Sequence, residues 1–288
     1  MVGSARRSRL SKIIAGMTLG WALAGALGLG GASSGAAAPR SPARPLDISA
    51  DDVTTDRAGA VRARGHVQVV YGAVRVKTDL LLWDRPVGAA KLTGHVVVTG
   101  PQGRVTGDAA TLQVAGPDNQ VVSAAVIGHA VFASQEYALM ADALATDRRT
   151  GRLAAQGHVT IMSAPDVVVT GDRGVYDEKA QYAVMSGHAT ASSREGRLGG
   201  DWIELFRAEG RAVVHGPMKA DFDGAVITGD QATVIFGTQT AVFTGHVVVA
   251  RGLDTVWADR ATLFYDDRRI VAEGKTRARF AGVDEGMP

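Results

Sequence analysis

The sequence predicts an all-β protein built from eight two-strand repeats of about 29 residues, some sixteen strands in all. Three observations predict it. A glycine recurs eight times at a nearly constant interval, an aspartate recurs in phase with it, and the residues around both alternate apolar and polar with period two. After residue 38 no stretch carries a sustained apolar stripe of period 3.6, so almost no helix is expected.

The chain has 288 residues, 46% hydrophobic and 21% charged, the composition of a folded protein. Residues 1–38 hold Arg6, Arg7, Arg9 and Lys12 and no acid, then an apolar run from Ile13 to about Leu29, then small residues ending in Ala36-Ala37-Ala38. That order is a secretory signal peptide, and the Gly- and Ala-rich run with its Ala-x-Ala end favours cleavage over a transmembrane anchor. Arg6-Arg7 has the look of a twin-arginine signal, but its flanks fit poorly. Without the segment, 27 of the 31 basic residues remain against 29 acidic ones, a net charge of −2 in place of +2. The basic character thus belongs to the export signal, and no nucleic-acid partner is expected. There is no cysteine, which excludes disulfides, thiolate metal sites and lipidation of an N-terminal Cys. Residues 39–45, Pro-Arg-Ser-Pro-Ala-Arg-Pro, read as an extended linker, residues 46–280 as the repeat domain and 281–288 as a tail.

The marker glycines are Gly65, Gly94, Gly128, Gly157, Gly187, Gly216, Gly245 and Gly274. Six are followed by histidine, as in Gly65-His66 and Gly245-His246, whereas His215 precedes Gly216. Asp79, Asp108, Asp142, Asp201, Asp230 and Asp259 each lie 14 residues after a marker glycine, and Asp172 lies 15 after. Around each glycine, positions −2, +2 and +4 are apolar, as in Ala63, Val67 and Val69, while −1 and +3 are polar, as in Arg64 and Gln68. A second strand follows each Asp, with apolar residues at +2 and +4 such as Ile203 and Leu205. Gly100-Pro101, Pro117-Asp118-Asn119 and Asp266-Asp267 supply turns, and the long interval before Gly128 places an inserted loop at Gly116–Gln120.

Seven histidines in register invite a metal reading. The pattern argues against it: equivalent histidines two strands apart stand roughly 9 to 10 Å from each other, and the sequence offers them no clustered carboxylate. Each His is expected to face outward, opposite the valines. The aspartates are expected to begin strands and accept local backbone hydrogen bonds. A catalytic carboxylate pair would be unique and unequal in its surroundings, whereas these repeat. No Gly-x-Ser-x-Gly, Walker or His-Glu-x-x-His sequence is present, so no catalytic residue, cofactor or metal is expected. What remains is a long apolar face. Sixteen strands span roughly 75 Å, and such a sheet must cover its valines by folding over or pairing. Whether the result is a dry core or an apolar trough stays open at this level.

Trp257-Ala258-Asp259-Arg260-Ala261-Thr262-Leu263-Phe264-Tyr265-Asp266, with Gly-x-Val-x-Val some 15 residues after the repeat Asp, as at Gly245–Val249 after Asp230, resembles the OstA-like repeat of the LptA/LptC/LptD N-terminal family of lipopolysaccharide-transport proteins. The resemblance runs from Leu46 to Phe280, is closest to the family's periplasmic bridge member, and extends to Leu46–Asp52, which looks like the family's first strand. The family commonly has Asn where this chain has His after the glycine. The resemblance implies an antiparallel V-shaped β-jellyroll, located in the periplasm, whose apolar interior shelters lipid A acyl chains on the way to the outer membrane. It also implies edge-strand pairing with other components of the same fold and head-to-tail assembly of like copies. The positions expected to touch lipid are Val67, Val69, Val96, Val98, Phe132, Val159, Ile161, Met218, Val247 and Val249. The competing reading is a structural or adhesive β-solenoid with a dry core. A glycan-processing parallel β-helix would need a unique acidic cluster, which the sequence lacks.

Overall fold

The computed structural model describes residues 46–115, 120–135, 137–163, 166–194 and 196–281, and every helix-or-strand element among them is a strand. The signal peptide, the linker, nearly all of the tail and residues 116–119 of the inserted loop lie outside the described residues. Two compact units divide the rest, one within Leu19–Ile161 with Arg173–Ala180, the other Met162–Asp172 with Gln181–Pro288.

The first unit contains β1 (Leu46–Ser49), β2 (Asp52–Thr55), β3 (Val61–Tyr71), β4 (Val74–Asp84), β5 (Ala89–Gly100), β6 (Gly103–Ala115), β7 (Gln120–Ala133), β8 (Tyr137–Asp147) and most of β9 (Arg152–Ser163). From β3 to β8 each strand pairs antiparallel with the next. The second unit contains the first half of β10 (Val167–Asp177), then β11 (Tyr182–Ser193), β12 (Gly196–Phe206), β13 (Arg211–Phe222), β14 (Ala225–Ile235), β15 (Thr240–Arg251), β16 (Asp254–Phe264), β17 (Arg269–Glu273) and β18 (Arg277–Arg279). From β11 to β16 the pairing is again antiparallel and sequential.

Among the described residues eighteen segments stand where sixteen strands are expected, and the difference sits at the first and last strands. β1 and β2 pair with successive stretches of β3, and β17 and β18 with successive stretches of β16. Each end strand is thus one line broken in the middle, at Ala50-Asp51 and at Gly274–Thr276. Both breaks fall at the level of the repeat marker, where the strands from β3 to β8 and from β11 to β16 also depart from regular pairing.

That departure is a β-bulge. Arg64 pairs with Leu80 and Val67 with Thr78, so β3 carries one residue more than β4 between the two pairs. β5 likewise carries one more than β4 between Thr93 and Val97. Gly65 and His66 both adopt positive φ, +74° and +47°, and the same pair of left-handed residues recurs at Gly94-His95, Gly128-His129, Gly157-His158, Gly187-His188 and Gly245-His246. A bulge bends its strand and increases its twist. Repeated in register within a unit, it turns the strands along one crease. Histidine follows the glycine because it tolerates the left-handed region better than most side chains do.

The aspartates do not begin strands. Asp79 lies inside β4, whose first residue is Val74, and Asp108, Asp142, Asp172, Asp201, Asp230 and Asp259 lie inside β6, β8, β10, β12, β14 and β16. Turns fall elsewhere. Two-residue hairpins join the strands at Gly72-Ala73 and Pro101-Gln102 in the first unit and at Asp223-Gly224 in the second. Asp223 and Gly224 have φ of +49° and +74°, the primed turn that Asp-Gly favours.

In each unit the period-two pattern sorts one face inward. Ala63, Val67, Leu92, Val96, Val126 and Phe132 are buried in the first unit, and Ile203, Leu205, Met218, Ile227, Phe243 and Leu263 in the second. Burying a side chain of this size contributes about 1.5–3 kcal/mol. Without disulfides, this apolar face is what holds each unit.

Candidate functional site: an apolar cavity and the Asp–Gly–His brackets

The first unit holds a partly open apolar cavity of about 160 Å³. Its walls include Ile48 of β1, Val69 of β3, Val76 and Trp83 of β4, Val98 of β5 and Val114 of β6. These residues come from both sides of the crease, since Val76 precedes Asp79 on β4 and Trp83 follows it. An apolar void of roughly 150 Å³ takes a benzene-sized guest, so this one fits the end of a hydrocarbon chain. The void in the second unit is about 20 Å³, lined by residues such as Ala191, Leu198 and Phe243.

All ten positions expected to touch lipid face inward. Val67, Val96, Val98, Phe132, Val159, Ile161, Met218 and Val247 are buried, and Val69 and Val249 are half-buried. Only Val69 and Val98 line the first-unit cavity, and none of the ten lines the second-unit void. The others are packed against neighbours. The sequence reading missed Leu46, Ile48, Tyr71, Val74, Val76 and Val114, which lie toward strand ends. The alternation that marks Val67 and Val69 continues to Tyr71 and resumes at Val74 and Val76, and it was the signal that could have found them.

The histidines do have carboxylate partners, contrary to the expectation from the sequence. His66 Nδ1 lies 2.8 Å from Asp51 Oδ2, His95 2.8 Å from Asp79, His129 3.2 Å from Asp108, His158 3.0 Å from Asp142, His188 3.9 Å from Asp172 and His246 2.8 Å from Asp230. Each Asp reaches the bulge of the following strand line and occupies the space where a side chain on the marker glycine would stand. A Cβ on Gly94 would lie 2.2 Å from Asp79 Oδ2. The glycine, the histidine and the aspartate of the preceding line form one bracket that fixes the bulge. As expected, the rings face outward, with the His95 side chain 90% exposed. Among the described residues no group of three or more His, Cys, Asp or Glu is placed to hold a metal ion.

The hydrogen bond to Asp51, and next its charge, raise the His66 pKa above 6.5, and Asp79 does the same for His95. A histidine whose folded pKa is raised adds stability that is fully present below the unfolded value and is lost as pH rises through the folded one. These two brackets therefore hold better in mild acid than above neutrality. NMR titration is expected to show both imidazoles with midpoints above 6.5, and Asp79→Asn to return His95 toward that value while leaving His66 raised. A His95 midpoint unmoved by Asp79→Asn would contradict this account.

Two repeats depart from the bracket. Lys275 follows Gly274, and its backbone N–H donates to Asp259 Oδ2 at 3.0 Å. Pro217 follows Gly216, and the histidine has moved to position 215, where it stacks on Trp202 with centroids 4.7 Å apart. His215 Nε2 lies 2.6 Å from Glu204 Oε2, and the Tyr182 hydroxyl donates to Glu204 Oε1 at 2.5 Å. Burial first, and then the Glu204 carboxylate, push the Tyr182 phenol up to about 12.

A family model described as "LptA/(LptD N-terminal domain) LPS transport protein" matches residues 81–211 and 226–286, about two thirds of the chain. The chain belongs to this family. Its members are lipopolysaccharide (LPS) transport proteins, and the all-β antiparallel jellyroll of two-strand repeats found here is that of an OstA-like LPS-transport domain. Among solved structures, the chain is similar to LptH, the LptA-homologous periplasmic component of the lipopolysaccharide transport device of Pseudomonas aeruginosa. The identity is 12%, over 83% of this chain and 96% of that one, with a TM-score of 0.16. No protein of curated function matches the sequence significantly.

Proposed function

We propose that this chain is a periplasmic LPS carrier or bridge, exported by a cleavable signal peptide, that shelters lipid A acyl chains in its apolar interior during transfer to the outer membrane. Its role is binding and transfer, not catalysis. The observation that carries this reading is the cavity of about 160 Å³ walled by Val69, Val76, Val98 and Val114 in a chain of an LPS-transport family. Burial there is worth about 25 cal/mol per Å² of apolar surface, and the net affinity falls well below the area sum. The void admits one chain end, so a lipid with several chains requires the inward faces to separate further.

The ends of the array support bridging. All four residues of β2 and all three of β18 are exposed. Each can add a strand from another component of the same fold, or from a second copy arranged head to tail.

A photo-crosslinking residue in place of Val98 is expected to form an adduct with LPS, and one in place of the outward Thr160 is not. Labelling confined to Thr160 and Thr190 would sink the proposal. The second reading, a stiff rod with a filled core, is favoured by the void of only 20 Å³ in the second unit. It predicts purified protein that retains no LPS at all.

A further inference from the structure

The second unit has a groove of about 1280 Å³ on its surface, against a void of 20 Å³ inside. Phe222 and Tyr265 line both. Their rings meet edge to face, centroids 5.5 Å apart and planes at 67°. Next to Phe222, Asp223 lies 3.7 Å from Arg268. Asp223 is at the tip of the β13–β14 hairpin and Arg268 in the loop between β16 and β17, so the two contacts tie one strand edge to the opposite one. Asp223 and Arg268 both hold left-handed φ, +49° and +50°.

The groove outside this closure mixes polar and apolar surface and is charge-balanced, with Arg197, Lys219 and Arg268 set among Asp201, Asp221 and Asp223. Arg197 pairs across the ladder with Asp221, Arg194 lies 3.4 Å from Asp166, and the Thr190 hydroxyl shares a hydrogen bond with Thr170. A balanced set of donors and acceptors suits a head group rich in hydroxyls better than a bare anion. Behind the closure the walls are small or aliphatic, Ala191, Leu198, Ala220 and Leu263. Rotation of the Phe222 ring out of its place would join its own volume to the inner void. The ion pair beside it is exposed and correspondingly easy to break.

We propose that Phe222 and Tyr265 form a gate in a side entrance to the second unit, through which an acyl chain of a glycolipid passes while its sugar head lies in the outer groove. This rests on the lipid-carrying reading above. The filled interior of the second unit is then its closed state.

The chain has no cysteine, so Asp223→Cys with Arg268→Cys supplies the only two thiols, and a reducible bifunctional linker joins them. A photo-crosslinking residue replaces Leu198 in this background, and in a parallel protein it replaces Val69. Purified LPS is the probe. Leu198 labelling is expected to fall at least tenfold in the linked protein and to return on reduction, with Val69 labelling unchanged. Independently, Phe222→Ala in the cysteine-free chain is expected to raise Leu198 labelling several-fold. Equal Leu198 labelling in the linked and reduced proteins would overturn the gate. So would Leu198 silent in both while Val69 is labelled, which leaves the lipid reading standing. If neither site is labelled in any protein, the lipid reading fails and the entrance with it.

Discussion

Gly94→Ala is expected to destabilise the protein by about 3 kcal/mol, a large fraction of what a domain has to lose. Two costs add. Gly94 has φ of +82°, and a side chain in the left-handed region costs roughly 1–2 kcal/mol. The new Cβ would also meet Asp79 Oδ2 at 2.2 Å and the carboxylate carbon at 2.8 Å. The carboxylate must move, and its contact with His95 is lost. Gly59→Ala is the control, because its φ is +86° but nothing lies within 4 Å of the added carbon. It is expected to cost only the backbone part. The double variant Gly94→Ala with Asp79→Ala removes the obstacle and is expected to recover part of the loss, an interaction that a double-mutant cycle measures by urea unfolding. Equal losses in Gly94→Ala and Gly59→Ala would mean that the bracket does not hold the bulge.

The bracket also shows how far this fold can be read in the sequence. Its parts are visible there, because glycine and aspartate recur in phase and period-two alternation marks the inward residues. Their contact is not visible. Asp79 meets Gly94 and His95, 15 and 16 residues on, only because β5 folds back beside β4 with one residue extra. The same extra residue lets a mid-strand Asp look, in one dimension, like the start of a strand. The broken end strands follow from the same cause, since the marker at Asp51 or Gly274 has a neighbouring line on one side only. Inward direction was legible for all ten expected lipid positions, but openness was not. Val67 and Val69 differ by one step of the same alternation, yet Val69 borders the cavity and Val67 does not. Distance between facing walls depends on bends and on side chains far apart in sequence.

Val69→Phe is expected to leave the fold intact and to cut lipid binding in the first-unit cavity sharply. Enlarging a side chain in a filled core costs about 1–3 kcal/mol, but Val69 is half-buried and borders about 160 Å³ of empty apolar space that can receive the ring. The change in stability should therefore stay within about 1 kcal/mol. The same ring removes the room an acyl chain would use. Labelling of LPS from a photo-crosslinking residue at Val98, two strands along the same wall of the cavity, should fall at least about tenfold, or 1.4 kcal/mol in binding. Val249→Phe serves as the comparison, since Val249 is also half-buried but borders neither void. If both variants bind LPS as well as the parent chain does, acyl chains do not use the first-unit cavity. If only Val69→Phe loses binding with its unfolding midpoint unchanged, the cavity is the acyl seat and the eight packed positions serve the core that frames it.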